Sequence, residues 1–381
     1  MATWNVRTGC DTGQLEIICG ELDRYNISLA FLTELRLTCQ GQTEVNVPRT
    51  DNSYIIYYSG ADTRVQGVGF ALKKSLTKSV LSFEPISSRL AVLSLAGTIR
   101  TQMIVAYAPT EVSDSQTKDD FYESLQHVYS SLPATDFKLC GGDFNAQVGS
   151  ANPGWPKVLG KCGLGSLNDN GTRLLSFASA NKLFVAGTFF RHRDIHKLTW
   201  RSPRGHCTII DHFLVQRRFA SSIRDVRTMR GADCGSDHFL VRLLLNLRLR
   251  RATPPGPRTS MVDWVQLSSQ GTKDRFALEL SNRFSSLPLE NDANLEADMI
   301  ASSVLHCGMQ VCSKRKRKKY KHWLSDKSLD LIAKRRMVMK DPVHYRQLNG
   351  EVKKSIKNDH KVHLSMIASN LEEAQQRHDY R

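Results

Sequence analysis

Apolar and polar positions change their period along the chain, and the period predicts the elements. Leu15, Ile18, Cys19 and Leu22 share one face of a helix between Gln14 and Tyr25. The same spacing returns at Phe121, Leu125, Val128 and Tyr129, and again at Leu174, Leu175, Phe177 and Ala178. Between these stretches lie short runs rich in Val, Ile, Leu, Phe and Tyr, closed off by Gly, Pro, Asp or Ser, as strands tend to be. They predict strands at 29–33, 54–58, 68–72, 90–95, 103–107, 137–140, 184–190, 198–201, 208–215 and 239–247. Many strands with few helices fit an α/β (α+β) architecture, a two-sheet β-sandwich flanked by helices. Strict strand–helix alternation is missing, which argues against a barrel of eight parallel strands.

The pattern changes near residue 250. Arg250-Arg251-Ala252-Thr253-Pro254-Pro255-Gly256-Pro257 reads as a stiff basic linker. Three regions follow: a globular domain at 1–248, a basic linker with weak helices around 281–305 at 249–322, and a basic helical segment at 323–381. In the last, 329–339 and 345–371 are helical, with a break at Asp341-Pro342, because proline disfavours helix in the residue before it and lacks a donor.

Charge sharpens this division. Of a net charge of +16, the stretch 313–381 holds 19 Lys and Arg against 8 Asp and Glu. A polyanion is the expected partner, with the tail supplying most of the attraction. The cluster Lys314-Arg315-Lys316-Arg317-Lys318-Lys319 is of nuclear-import or nucleic-acid type, so the nucleus is the expected location, with the cytoplasm as the alternative. No apolar run reaches membrane-spanning length, and the N-terminus lacks a secretory layout. The nine cysteines are scattered without CxxC pairs, which suits reduced thiols. No obligate protein partner is evident.

Hydrolysing a phosphodiester needs an in-line water, relief of negative charge on phosphorus and help for the departing oxygen. Magnesium relieves the charge through a few carboxylates, keeping waters and phosphate oxygens as its other ligands. Six stretches offer suitable groups where apolar strands stop. They are Trp4-Asn5-Val6, Phe31-Leu32-Thr33-Glu34, Ala106-Tyr107-Ala108-Pro109, Gly141-Gly142-Asp143-Phe144-Asn145, Ile209-Ile210-Asp211 and Ser236-Asp237-His238. A carboxylate such as Asp211 inside an apolar strand needs a hydrogen-bonding or cationic partner, and His238 is the natural candidate.

This ordered set resembles the endonuclease/exonuclease/phosphatase superfamily over residues 1 to about 248. More narrowly, Thr3-Trp4-Asn5-Val6-Arg7-Thr8-Gly9, Asn168-Asp169-Asn170-Gly171 and Leu198-Thr199-Trp200-Arg201-Ser202-Pro203 resemble endonuclease domains of non-LTR retrotransposons and the craniofacial-development-protein-like genes derived from them. Trp323-Leu324-Ser325-Asp326-Lys327-Ser328-Leu329 resembles the segment leading to a reverse transcriptase, which is itself missing. The resemblance implies Mg2+, with Mn2+ able to substitute, held by Glu34 with Asn5 and Asp237 nearby. It implies that Asp143 aligns or deprotonates the water, that Asn145 holds the phosphate and that Tyr107 contacts it or aids the leaving oxygen. Asp211 would orient His238, which stabilises the transition state, and Asn168, Arg201 and Ser202 would touch the nucleic-acid backbone. Many nucleases of the superfamily carry Asp or Asn where this chain has Arg7, which either weakens metal binding or adds a phosphate contact.

The implied activity is a Mg2+-dependent DNA endonuclease acting on double-stranded DNA. A second reading keeps the fold but takes inositol phosphates, nucleotides or RNA. A third is a non-enzymatic nucleic-acid-binding relic of a mobile element.

Overall fold

A computed structural model describes residues 1–150, 154–251, 264–285, 293–312, 323–339 and 341–376. Most of the basic linker and the whole Lys314–Lys319 cluster lie outside the described residues. The chain divides into two compact units, Met1–Ala252 with His322–Arg381, and Thr253–Lys321.

The first unit opens with β1 (Ala2–Asn5), α1 (Gln14–Arg24), β2 (Leu29–Thr33), β3 (Gln40–Asn46), β4 (Ser53–Ser59), β5 (Val68–Lys73), β6 (Val80–Pro85), β7 (Leu90–Leu95) and β8 (Thr101–Tyr107). Next come α2 (Ser115–Ser131), β9 (Phe137–Asp143), α3 (Asp169–Ala180), β10 (Leu183–Val185), β11 (Trp200–Arg201), β12 (Cys207–Thr208), β13 (Asp211–Gln216), β14 (Ile223–Met229) and β15 (Leu240–Leu245). The strands form one sheet in the order β14-β15-β1-β2-β5-β4-β3, a second in the order β10-β13-β9-β8-β7-β6, and a small β11-β12 ribbon.

The two large sheets pack face to face, burying Phe31, Phe70, Leu93, Val105, Phe213 and Val241 between them. On its outer face the second sheet carries α2 and α3, with Leu125, Phe144, Leu174 and Leu214 in that core. Central strands are thus covered on both sides, which is why β2 and β8 are buried throughout and carry the apolar runs Leu29–Leu32 and Met103–Ala106. The observed architecture is the expected two-sheet sandwich flanked by helices.

Two expected strands break up. The run 184–190 holds only the short β10, after which Ala186–Phe189 turns into a 3-10 helix. The Thr188 hydroxyl donates back to the Val185 carbonyl at 2.7 Å, a local bond that competes with the ladder. The run 208–215 splits into β12 and β13, because the amides of Ile210 and Asp211 both donate to Thr199 Oγ1.

The C-terminal part of this unit holds α6 (Asp326–Met337) and α7 (Pro342–Gln376), separated by the Asp341-Pro342 break, with Pro342 opening the second helix. Leu324, Ile332, Val352 and Ile356 join Trp4, Ile18, Leu22 and Leu32 in the core on the outer face of the first sheet. The second unit contains α4 (Gln270–Phe284) and α5 (Ala293–Val311). There the ring of Trp264 meets Phe276 edge-on at 5.9 Å. No helix of the described residues is long and apolar enough to cross a membrane.

Candidate active site

Strand pairing brings the site together. β1 and β2 run parallel with Asn5 opposite Thr33, so Glu34 follows directly at the same sheet edge. In the second sheet Tyr107 pairs with Asp143, and Asp143 with Asp211, forming one row across β8, β9 and β13. Asn5 joins the two edges. Its Nδ2 donates to Glu34 Oε1 and to Asp143 Oδ2, both at 2.9 Å. The Tyr107 hydroxyl donates to the same Glu34 oxygen at 3.0 Å.

Local backbone geometry fixes these side chains. Gly142 has φ +154, and a Cβ there would lie 1.8 Å from the Ala106 carbonyl oxygen, so only glycine lets β8 and β9 approach this closely before Asp143. Asp143 Oδ1 then accepts from the Asn145 amide at 2.9 Å, and Asn145 Nδ2 donates to the Ala108 carbonyl at 3.0 Å. Arg7, Glu34, Arg36 and Asn145 all have positive φ, between 48 and 59. Such conformations are costly for non-glycine residues and persist where the surroundings over-determine them, commonly at functional sites.

The sixth stretch closes the site. Ser236 Oγ donates to the Asn5 carbonyl at 2.7 Å and accepts from the His238 amide at 3.0 Å. The Trp4 indole donates to the His238 carbonyl at 3.0 Å. His238 Nδ1 lies 3.0 Å from Asp211 Oδ2, and its Nε2 lies 3.8 Å from Asp143 Oδ2. Asp143, Asp211 and His238 are all buried and bring metal-ligand-type atoms within 4.8 Å of one another. A protonated imidazole would supply positive charge between these two carboxylates.

Burial alone opposes a charged imidazole, but the charge and hydrogen bond of Asp211, with Asp143 and Asp237, outweigh it and raise the His238 pKa to about 9. Burial also pushes Asp143 up, with the neighbouring Asp211 charge, to about 7, against the pull of His238 and the hydrogen bonds from Asn5 and Asn145. Glu34 goes the other way. Burial works against its charge, yet hydrogen bonds from Asn5, Arg36 and Tyr107 and the Arg36 charge hold it below the ordinary carboxylate value. Burial, then the charges of Glu34 and Asp143, drive the Tyr107 phenol up, so it remains a donor.

Asp237 completes the acidic set. Its Oδ2 accepts from the Trp200 indole at 3.1 Å, while its buried Oδ1 has no hydrogen-bond partner and faces Arg7 Nε at 3.7 Å. Arg36 pairs with Glu34 Oε2 at 2.7 Å. An ionised Glu34 and a carboxylate oxygen of Asp237 without a hydrogen-bond donor are hard oxygen ligands of the kind a divalent cation takes. Asn5 turns its amide nitrogen to Glu34 and Asp143 and its Oδ1 to the Arg7 amide at 3.0 Å, so in this arrangement it braces the carboxylates.

Asn168, Arg201 and Ser202 each make local contacts. Asn168 caps α3, its Oδ1 accepting from the amides of Gly171 at 2.7 Å and Gln147 at 2.9 Å, and its Nδ2 donating to the Asn145 carbonyl. It therefore buttresses the Asn145 loop. Ser202 closes the turn of the β11-β12 ribbon by accepting from the His206 amide. Arg201 is exposed, with its guanidinium 5.6 Å from the Phe239 ring centre. Three contributors carried no signal in the apolar pattern. Trp200 holds Asp237, Arg36 neutralises Glu34, and Arg89 donates to the Tyr107 carbonyl at 3.1 Å while lying over its ring.

Residues 2–238 match the Endonuclease/Exonuclease/phosphatase family, and the chain belongs to it. It is 32% identical over 280 residues to craniofacial development protein 2 of Tragulus javanicus, covering 72% of this chain and 47% of that protein. It is 33% identical over 252 residues to craniofacial development protein 2 of Bos taurus, covering 66% of this chain and 41% of that protein. The chain thus spans under half the length of these curated relatives. Among solved structures, it is similar to the 3′ phosphatase NExo from Neisseria bound to product DNA hairpin, at 18% identity and a TM-score of 0.46, over 64% of this chain and 98% of that chain. It is also similar to the endonuclease domain of TRAS1, a telomere-specific non-LTR retrotransposon, at 11% identity and a TM-score of 0.42, over 66% of this chain and 98% of that chain.

Proposed function

We propose that this chain is a Mg2+-dependent phosphodiesterase that nicks double-stranded DNA in the nucleus, a nuclease of non-LTR retrotransposon descent. The observation that carries the reading is the Asn5 amide joining Glu34 of one sheet edge to Asp143 of the other, with His238 and Asp211 directly behind. Glu34 and Asp237 are the groups to hold magnesium, which when bound withdraws charge from the phosphate oxygens. Asp143, its basicity raised by burial, takes the proton of the attacking water. His238, kept protonated by Asp211, donates through Nε2 to a phosphoryl oxygen. Asn145 and the protonated Tyr107 position the phosphate. The net charge of +16 favours a nucleic acid over a small ester.

The test is conversion of supercoiled plasmid to open circles with magnesium and with EDTA, beside an abasic duplex, RNA and free phosphate esters. Nicks with a 3′ hydroxyl that require magnesium, and that vanish in Glu34→Ala and His238→Ala, are expected. Nicking by either variant at the unsubstituted rate would remove the idea. Turnover confined to RNA or phosphate esters would replace DNA as the substrate.

A further inference from the structure

The loop that delivers Asp237 and His238 is gripped from behind by helices outside the family-matched region. Asp233, five residues before His238, is buried, and Arg335 of α6 pairs with its Oδ2 at 2.9 Å. The Tyr345 hydroxyl of α7 donates to the other oxygen at 2.8 Å. That same Oδ1 accepts from the Gly235 amide at 2.9 Å, one residue before Ser236 docks on Asn5. Gln14 Nε2 of α1 holds the Cys234 carbonyl at 2.6 Å. The buried Glu21 accepts from the Asp233 amide at 3.2 Å and pairs with Arg336 of α6. A few residues away, a Cβ at Gly13 would lie 2.8 Å from Ile356 of α7, and the Trp323 indole donates to Glu16 at 2.9 Å.

We propose that α6 and α7 form a strap in which Arg335 and Tyr345 act as positioning residues, setting Asp237 and His238 through Asp233. A buried guanidinium–carboxylate pair is weak evidence for bulk stability, and in some proteins such a pair fixes a single geometry. Here it is spent on the loop that carries two candidate site residues. Displacing a reacting group by about 1 Å lowers rate on the order of a hundredfold. The inference rests on the proposed activity for its kinetic reading, though its structural reading stands apart from it.

Three indoles report the geometry in the 15N-labelled full chain without metal. Trp200 senses Asp237, Trp4 senses the His238 carbonyl, and Trp323 senses docking of the strap on α1. In Arg335→Gln the Trp200 and Trp4 indole signals are expected to move while that of Trp323 stays. With plasmid substrate, kcat should fall about tenfold with KM within about twofold, and Arg335→Lys should recover most of kcat. The exposed pair partner Arg49, replaced by Ala, should move neither Trp200 nor Trp4. Unmoved Trp200 and Trp4 signals in a less stable Arg335→Gln protein would overturn the proposal, leaving the strap a stabiliser only. If Arg335→Gln fails to fold, Tyr345→Phe decides by the same signals, and no movement there also overturns it. A chain that does not nick DNA overturns the proposed activity, while the indole shifts still decide the strap.

Discussion

Asp143 and Asp211 stand opposite each other in the β9–β13 ladder, and the His238 imidazole is lodged against both. Two buried carboxylates at adjacent ladder positions repel, and a cationic ring is what lets both persist. His238→Gln should therefore cut nicking by about 10²- to 10⁴-fold and also destabilise the fold by about 3 kcal/mol, because a charge is left buried and unpaired. Asp211→Asn in the same protein should return most of that stability without returning activity. Urea denaturation of the single and double variants measures the coupling, and strictly additive losses would rule it out.

Arg7 occupies the ground that a cation would contest. Its Nε faces the unpartnered oxygen of Asp237 at 3.7 Å, in a pair whose side chains are 54% and 31% exposed. Removing a solvated guanidinium from such a pair is worth about 0.3–1 kcal/mol, or roughly two- to fivefold in affinity. Arg7→Gln should bind Mn2+ tighter by that factor in calorimetry. Weaker binding would mean that Arg7 helps assemble the site.

Much of this site is legible in the sequence because its residues sit at the ends of buried strands. Glu34, Tyr107 and Asp143 each follow an apolar run, so a polar residue there is conspicuous. The central strands are legible for the same reason, being covered on both faces. The strands β3, β6 and β14 are not: all three lie at sheet edges. β3 reads Gln-Gly-Gln-Thr-Glu-Val-Asn, mostly solvated, and β14 intersperses Arg and Asp among its apolar positions. Edge strands carry charge to discourage pairing, and this erases the apolar signal. Asn168 reads in the sequence as a backbone contact, and the start of α3 on it becomes visible only in the fold. The Arg335–Asp233 pair spans 102 positions, and no local period announces it.

Gly142 offers a test of how tightly β8 and β9 must approach. Gly142→Ala puts a methyl 1.8 Å from the Ala106 carbonyl oxygen at φ +154, so the strands must separate beneath Asp143. A loss of about 3–5 kcal/mol is expected from backbone conflict of this kind. Gly205 also has positive φ, +87, but nothing lies within 4 Å of the added carbon. Gly205→Ala should cost only about 1–2 kcal/mol, the conformational part alone. Equal losses at the two positions would show that crowding against β8 is not what selects Gly142.

His212 makes stability depend on pH in a direction that can be worked out. Burial lowers its pKa below the ordinary 6.5, more than the Ala146 carbonyl hydrogen bond and the Asp211 charge restore. As pH falls below 6.5 the unfolded chain takes up a proton that the folded chain refuses, so the folded state loses stability until pH passes the folded value. The slope is at most about 1.4 kcal/mol per pH unit. His238 contributes no slope below 6.5, only above it. Its raised pKa gives stability that is complete below 6.5 and is lost as pH climbs toward about 9. Asp143 does act there, because a carboxyl raised to about 7 stabilises the fold as pH falls toward its ordinary value. The quantity to measure is thus the difference between the unsubstituted chain and His212→Gln, by urea denaturation from pH 7.5 to about 5. The variant should gain on the unsubstituted chain as the solution is acidified, and a flat difference would show that His212 accepts its proton without leaving the fold.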